Sequence, residues 1–102
     1  MIVLVEDDPD FRAETLAFLE ARAFDVAAVA DGAGLRRVLA ERSPELVLLD
    51  VLLQGSEENG IEIARSLRRY RPDLGLVMLT CLDQPDDQVR GLDAGVDAYL
   101  AK

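Results

Sequence analysis

Residues 46–60 read LVLLDVLLQGSEENG, and the balance of apolar and acidic residues in that stretch decides the fold. Seven of its first eight residues are Leu or Val; the exception is Asp50. A run that is apolar at every position, not every second one, suits a strand buried on both faces of a parallel sheet. A carboxylate inside it is costly if buried alone, because an ion gives up its hydration. Asp50 therefore needs a chemical reason to be there.

Working outward, IVLV (2–5), FDVAAVA (24–30), LGLVMLT (74–80) and VDAYLA (96–101) are further strand candidates, the second weakened by its alanines. The segments between them have helical spacing. Asp8-Pro9 pairs an N-cap with a first-turn proline, and Phe11, Thr15, Phe18 and Leu19 follow at three- and four-residue steps. Asp31-Gly32 opens a helix through Leu35, Val38 and Leu39 that ends before Ser43-Pro44. Asn59-Gly60 leads into Ile61, Ile63, Ala64 and Leu67, and Pro72-Asp73 ends that helix. Asp83 to Gly91 opens a fourth, through Val89 and Leu92, stopping at Gly95. Strand–helix alternation of this kind predicts an α/β fold, a doubly wound parallel sheet with right-handed crossovers.

The 102 residues are read as one domain, half apolar and with a net charge of −9. That charge argues against direct nucleic-acid binding. One cysteine, Cys81, excludes an intramolecular disulfide framework and suits a reducing, cytoplasmic setting. MIVLV is too short for a signal peptide, and no run reaches membrane-spanning length. The absence of histidine removes imidazole catalysis and imidazole metal ligation.

In doubly wound sheets ligands sit beyond the carboxyl ends of the strands, at the switch point of the strand order. Those ends carry Glu6, Asp7 and Asp8 after the first strand, Asp50 at the third, Thr80 at the fourth and Lys102 at the fifth. A flavodoxin-like order 2-1-3-4-5 would place Glu6, Asp7 and Asp50 together, with Thr80 and Lys102 to one side. Carboxylates so close repel one another unless a cation sits among them, and an all-oxygen donor set suits Mg2+. A hydroxyl and an ammonium suit a phosphoryl group, and Asp50 can act as a nucleophile towards phosphorus. Taken singly, each residue has an ordinary reading. Asp8 is a helix cap, Thr80 a strand residue, Lys102 a solvated terminus and Tyr99 a packing residue.

VEDD at the first strand end, LLD at the third, LT at the fourth and the closing AGVDAYLAK together resemble a response-regulator receiver domain, the CheY-like fold, across essentially the whole chain. The resemblance implies a (βα)5 fold in which Asp50 accepts a phosphoryl group from a sensor histidine kinase. It implies Mg2+ held by Asp7, by Glu6 through water, by Asp50 and by the Leu52 backbone carbonyl. Thr80 and Lys102 would bind the phosphoryl oxygens, and Tyr99 would be the aromatic switch. The readout would be partner binding or a homodimer through the fourth-helix and fifth-strand face, with any output domain outside this chain.

Three features depart from the family pattern. Where it has a proline four residues after the phosphorylated Asp, this chain has Gln54, and the following glycine, Gly60, comes ten residues after Asp50 instead of eight. The positions two after Asp50 and two after Thr80 are Leu52 and Leu82, which cannot orient a water, so slow self-dephosphorylation is expected. The chain stops at Lys102, where the family continues into a fifth helix. A receiver-like interaction module that is never phosphorylated is the alternative. Haloacid-dehalogenase phosphatases need a second Asp at position 52, and GAG (32–34) is misplaced for a dinucleotide fingerprint. Arg65, Arg68, Arg69 and Arg71 read as the solvent face and cationic end of the third helix.

Overall fold

A computed structural model of the chain describes residues 1–50, 60–80 and 95–101, apart from the side chains of Thr80, Tyr99 and Ala101. Its strands are β1 (Ile2–Val5), β2 (Val26–Val29), β3 (Leu46–Asp50), β4 (Gly75–Thr80) and β5 (Ala98–Ala101). The described helices are α1 (Pro9–Glu20), α2 (Gly32–Glu41) and α3 (Gly60–Tyr70). All strands pair in parallel in the order β2-β1-β3-β4-β5, as the alternation of elements requires. The expected 54–59 loop and the expected fourth helix, opening over 83–91 and running through Leu92 towards Gly95, fall on residues 51–59 and 81–94, which lie outside the described residues.

Side-chain alternation divides the sheet's two faces. Val3 and Val5 of β1, Val47 and Leu49 of β3, and Leu76 and Met78 of β4 join one buried cluster with Leu35 of α2 and Ile61, Ala64 and Leu67 of α3. Leu4, Leu48 and Leu79 face the other way, packed by Phe11 and Leu19 of α1. β1 and β3 are buried on both sides, which explains why their sequences lack polar alternation.

Local chemistry fixes the helix ends. Asp8 Oδ1 accepts from the N–H groups of Asp10 (2.9 Å) and Phe11 (3.3 Å), and Asp31 Oδ1 accepts from Gly34 N–H (2.8 Å). Gly34 also lets α2 approach the sheet, since a Cβ there would stand 2.9 Å from that of Val29. The end of α1 winds into Ala23 at φ 66°, the left-handed conformation that usually falls to glycine. Phe24 N–H closes that turn on Leu19 O at 3.2 Å.

Two sequence expectations need correction. Phe18 shares the helical spacing of Phe11, Thr15 and Leu19, which suggests one apolar stripe, but it is 55% exposed. The stripe that packs on the sheet centres on Phe11 and Leu19, leaving Phe18 at its margin near the helix end. There Arg22, one turn on, lies 3.5 Å from the ring centroid and donates to Phe18 O at 3.1 Å. Arg68, expected on the solvent face, turns back to bind the backbone. It donates to Gly95 O, Pro72 O and Leu74 O, each at 2.8 Å, and pairs with Asp97 at 3.0 Å.

Candidate functional site

The register brings the site together. Val5 of β1 lies opposite Leu49 of β3, so the next residues, Glu6 and Asp50, come side by side at the carboxyl ends of adjacent strands. Both follow inward residues by one step and leave the sheet on the side of Leu4 and Leu48. Because β1 is flanked by β2 and β3, this junction is also the switch point of the strand order.

Carboxylate oxygens of Glu6, Asp7 and Asp50 all lie within 4.8 Å of one another. Glu6 is 0% exposed and Asp50 4%, while Asp7 is half-buried. At an effective dielectric constant of about 20, two unit charges that close repel by roughly 3–4 kcal/mol. An all-carboxylate group with two buried members is a donor set for a hard cation, so these residues fit a divalent metal such as Mg2+.

The end of β1 is held from two directions. Glu6 N–H donates to Val29 O at 3.0 Å, continuing the β1–β2 ladder. From α1, Arg12 Nη1 donates to Glu6 O at 2.8 Å, and Asp8 N–H donates to Glu6 Oε1 at 3.2 Å. Asp8 thus caps α1 with its side chain while its backbone orients Glu6. Arg12 escaped sequence reasoning, because an arginine in a helix's first turn ordinarily reaches solvent and its carbonyl partner leaves no mark in the sequence.

Thr80 closes β4 one residue past Leu79, the partner of Asp50, and its Cα pairs with Ala101 of β5. Tyr99 sits on β5 opposite Met78. The backbone therefore brings the end of β4 beside the acidic group. Leu52, Leu82 and Lys102 lie outside the described residues, as does Cys81.

A family model described as the response regulator receiver domain matches residues 2–102. The chain belongs to that family. Among relatives of this receiver, the TorCAD operon transcriptional regulatory protein TorR of Escherichia coli (strain K12) is 36% identical over 101 residues, covering 99% of this chain and 43% of that protein. The receiver thus spans less than half the length of such curated relatives. The solved receiver domain of the TMAO respiratory system response regulator TorR superposes with a TM-score of 0.91 at 35% identity, covering 99% of this chain and 82% of that one. The receiver domain of NtrX from Brucella abortus matches in fold, with a TM-score of 0.94 at 24% identity over 100% of this chain and 85% of that one. As a receiver domain, the chain is a signalling switch of two-component regulation. No helix among the described residues is long and apolar enough to cross a membrane.

Proposed function

We propose that residues 1–102 form one receiver domain in which Asp50 is the phosphoacceptor, with Glu6, Asp7, Asp50 and the Leu52 carbonyl as ligands for Mg2+. The observation that carries this reading is the convergence of three carboxylates within 4.8 Å at the switch point of the sheet. The partner is a sensor histidine kinase, whose phosphohistidine supplies the phosphoryl group.

In the transfer, an Asp50 carboxylate oxygen forms the new O–P bond as the P–N bond to the histidine breaks, and the imidazole leaves. When bound, Mg2+ supplies the positive charge that offsets the phosphoryl oxygens beside the carboxylates. The chain's own contribution is placement. β3 delivers Asp50 at a buried strand end, and Arg12 and Asp8 fix Glu6 beside it. Thr80 and Lys102 bind the phosphoryl oxygens, and the charge added at Asp50 draws Thr80 towards it. Tyr99 then changes position, which biases binding of a partner, or of a second copy, on the fourth-helix and fifth-strand face. The domain catalyses only its own phosphoryl transfer and dephosphorylation, and acts in the cytoplasm on an output domain outside this chain.

Incubation with acetyl phosphate and Mg2+, followed by intact-mass measurement, tests the reading. The wild type is expected to gain one phosphoryl group and Asp50→Asn none. Equal labelling of the two, or no labelling of either, would overturn it. Thr80→Ala should still be labelled but fail to switch partner binding or dimerisation.

A further inference from the structure

A groove of about 330 Å³ runs between α2 and α3, lined by Arg36, Leu39 and Ala40 on one side and Ser66, Leu67 and Tyr70 on the other. Its floor is firm: Leu67 belongs to the buried core and Leu39 packs against that core. At its rim Tyr70 leaves 69% of its surface in water, the most exposed large hydrophobic residue among those described. Tyrosine and arginine together are the residues enriched where proteins bind one another.

The two helices that form this groove run against the net charge of the molecule. The chain carries −9, yet α2 and α3 present Arg36, Arg37, Arg65, Arg68 and Arg69 against only Glu41 and Glu62. Arg68 is committed to the backbone around Gly95 and Arg37 lines a separate cleft against β2 with Asp31 and Glu41, but Arg65 and Arg69 of α3 stand exposed. On the other side of the sheet α1 reverses the balance, with Asp10, Glu14 and Glu20 against Arg12. An apolar floor between two helices of net positive charge is complementary to a segment that combines apolar anchors with carboxylates.

We propose that the α2–α3 groove docks an acidic amphipathic segment of a partner protein. Apolar or aromatic anchors would fill the space between Leu39, Leu67 and Tyr70, and flanking carboxylates would meet the exposed Arg69 next to Tyr70. A polynucleotide would find the arginines but would be repelled by the acidic remainder of the chain, and it has no use for a narrow apolar floor. Leu39, Ala40 and Tyr70 lie in the last turns of helices that return antiparallel to the strands. The groove therefore opens towards the amino ends of the strands, away from Glu6, Asp7 and Asp50. Docking there is independent of the phosphoryl chemistry, and a kinase-independent partner can be held without blocking the acidic site.

Selection of a randomised peptide library on the receiver, followed by amide chemical-shift mapping of the enriched peptides, tests this. Enriched sequences are expected to combine Asp or Glu with Leu, Phe or Trp, and to shift Leu39, Ala40, Ser66 and Tyr70. The double variant Arg69→Glu, Tyr70→Ala should weaken binding by about tenfold or more, as loss of an interface anchor does. Arg22→Glu, just past the end of α1, should leave binding unchanged. Both sites of the double variant are exposed, and the milder Arg69→Gln should give an intermediate loss with an unchanged far-ultraviolet spectrum. Absence of binders, no acidic bias among them, shifts centred elsewhere, or tighter binding of a single-stranded oligonucleotide would each overturn the proposal.

Discussion

Arg68 of α3 and Asp97, just before β5, are joined by a 3.0 Å ion pair between residues 29 positions apart in the chain. The same guanidinium holds Pro72 O and Leu74 O, so one side chain ties the end of α3 to the start of β4 and to the turn entering β5. Asp97 completes the link, accepting from Leu76 N–H at 2.9 Å while its own N–H donates to Leu76 O at 2.8 Å. Gly95, at φ +92°, makes the approach possible, because a Cβ there would stand 3.1 Å from Arg68 Cγ.

Arg68→Ala is therefore expected to destabilise the fold by about 2–4 kcal/mol, since it strands carbonyls that a charged donor had satisfied. Arg68→Lys should recover less than half of that, because an ammonium cannot reproduce the planar fork of donors. Urea unfolding of the three proteins at neutral pH measures both effects. A loss below about 0.5 kcal/mol for Arg68→Ala, the range of ordinary surface changes, would show the clamp to be energetically idle.

The clamp also makes a pH prediction. The Leu76 N–H bond holds the Asp97 carboxyl below its ordinary 3.8; partial burial opposes this, and Arg68 adds to the lowering by hydrogen bond and charge. A lowered folded value means that the unfolded chain takes up the proton first as pH falls. The stabilisation is thus complete above the ordinary aspartate range and is lost as pH drops through the folded value. Asp97→Asn should flatten that part of the stability–pH curve, and at neutral pH should cost little, because the pair is more than half exposed on the Asp97 side. Identical acid limbs in wild type and variant would contradict the assignment.

How much of this was legible in the sequence depends on whether the cause is local. Uniformly apolar β1 and β3, each ending in acid, announced a parallel sheet with carboxylates at its switch point, and Glu6, Asp7 and Asp50 are found together there. Asp8 as a cap was equally readable, because its partners are the next two or three residues. The Arg68 clamp was not, since its Gly95 and Asp97 partners lie 27 and 29 positions away and an arginine late in a helix has an adequate local explanation. Gly95 and Asp97 did stand within the family-like closing segment AGVDAYLAK, and the structure gives them a mechanical role there. Phe18 misled for the opposite reason: helical period alone cannot tell the middle of a stripe from its margin.

Ala23 offers a stabilising substitution. It holds φ 66° at the end of α1, a conformation that costs an L-residue with a Cβ about 1–2 kcal/mol relative to the right-handed region. Ala23→Gly removes that cost and gives back part of it as extra freedom of the unfolded chain, so a net gain of about 0.5–1 kcal/mol is expected. For a domain of this size that is a rise of roughly 2–8 °C in Tm by thermal unfolding. A fall in Tm would mean that the turn after α1 does not adopt the left-handed conformation in solution.

The acidic group makes a prediction that requires no phosphoryl donor. If Glu6, Asp7 and Asp50 hold a divalent cation in the folded chain only, Mg2+ must stabilise the fold by mass action, by about 2.7 kcal/mol at one hundred times its Kd. Asp50→Asn and Asp7→Asn each remove one charged ligand from the group. Each should lose more than half of the Mg2+-dependent rise in Tm, whatever the variant does to stability without metal. Comparing the rise within each protein, instead of Tm between proteins, isolates the metal from any other contact that these side chains make. Raising monovalent salt to the same ionic strength controls for screening, which relieves repulsion among carboxylates without occupying the site. Equal rises in the wild type and both variants would place the cation elsewhere on this acidic chain.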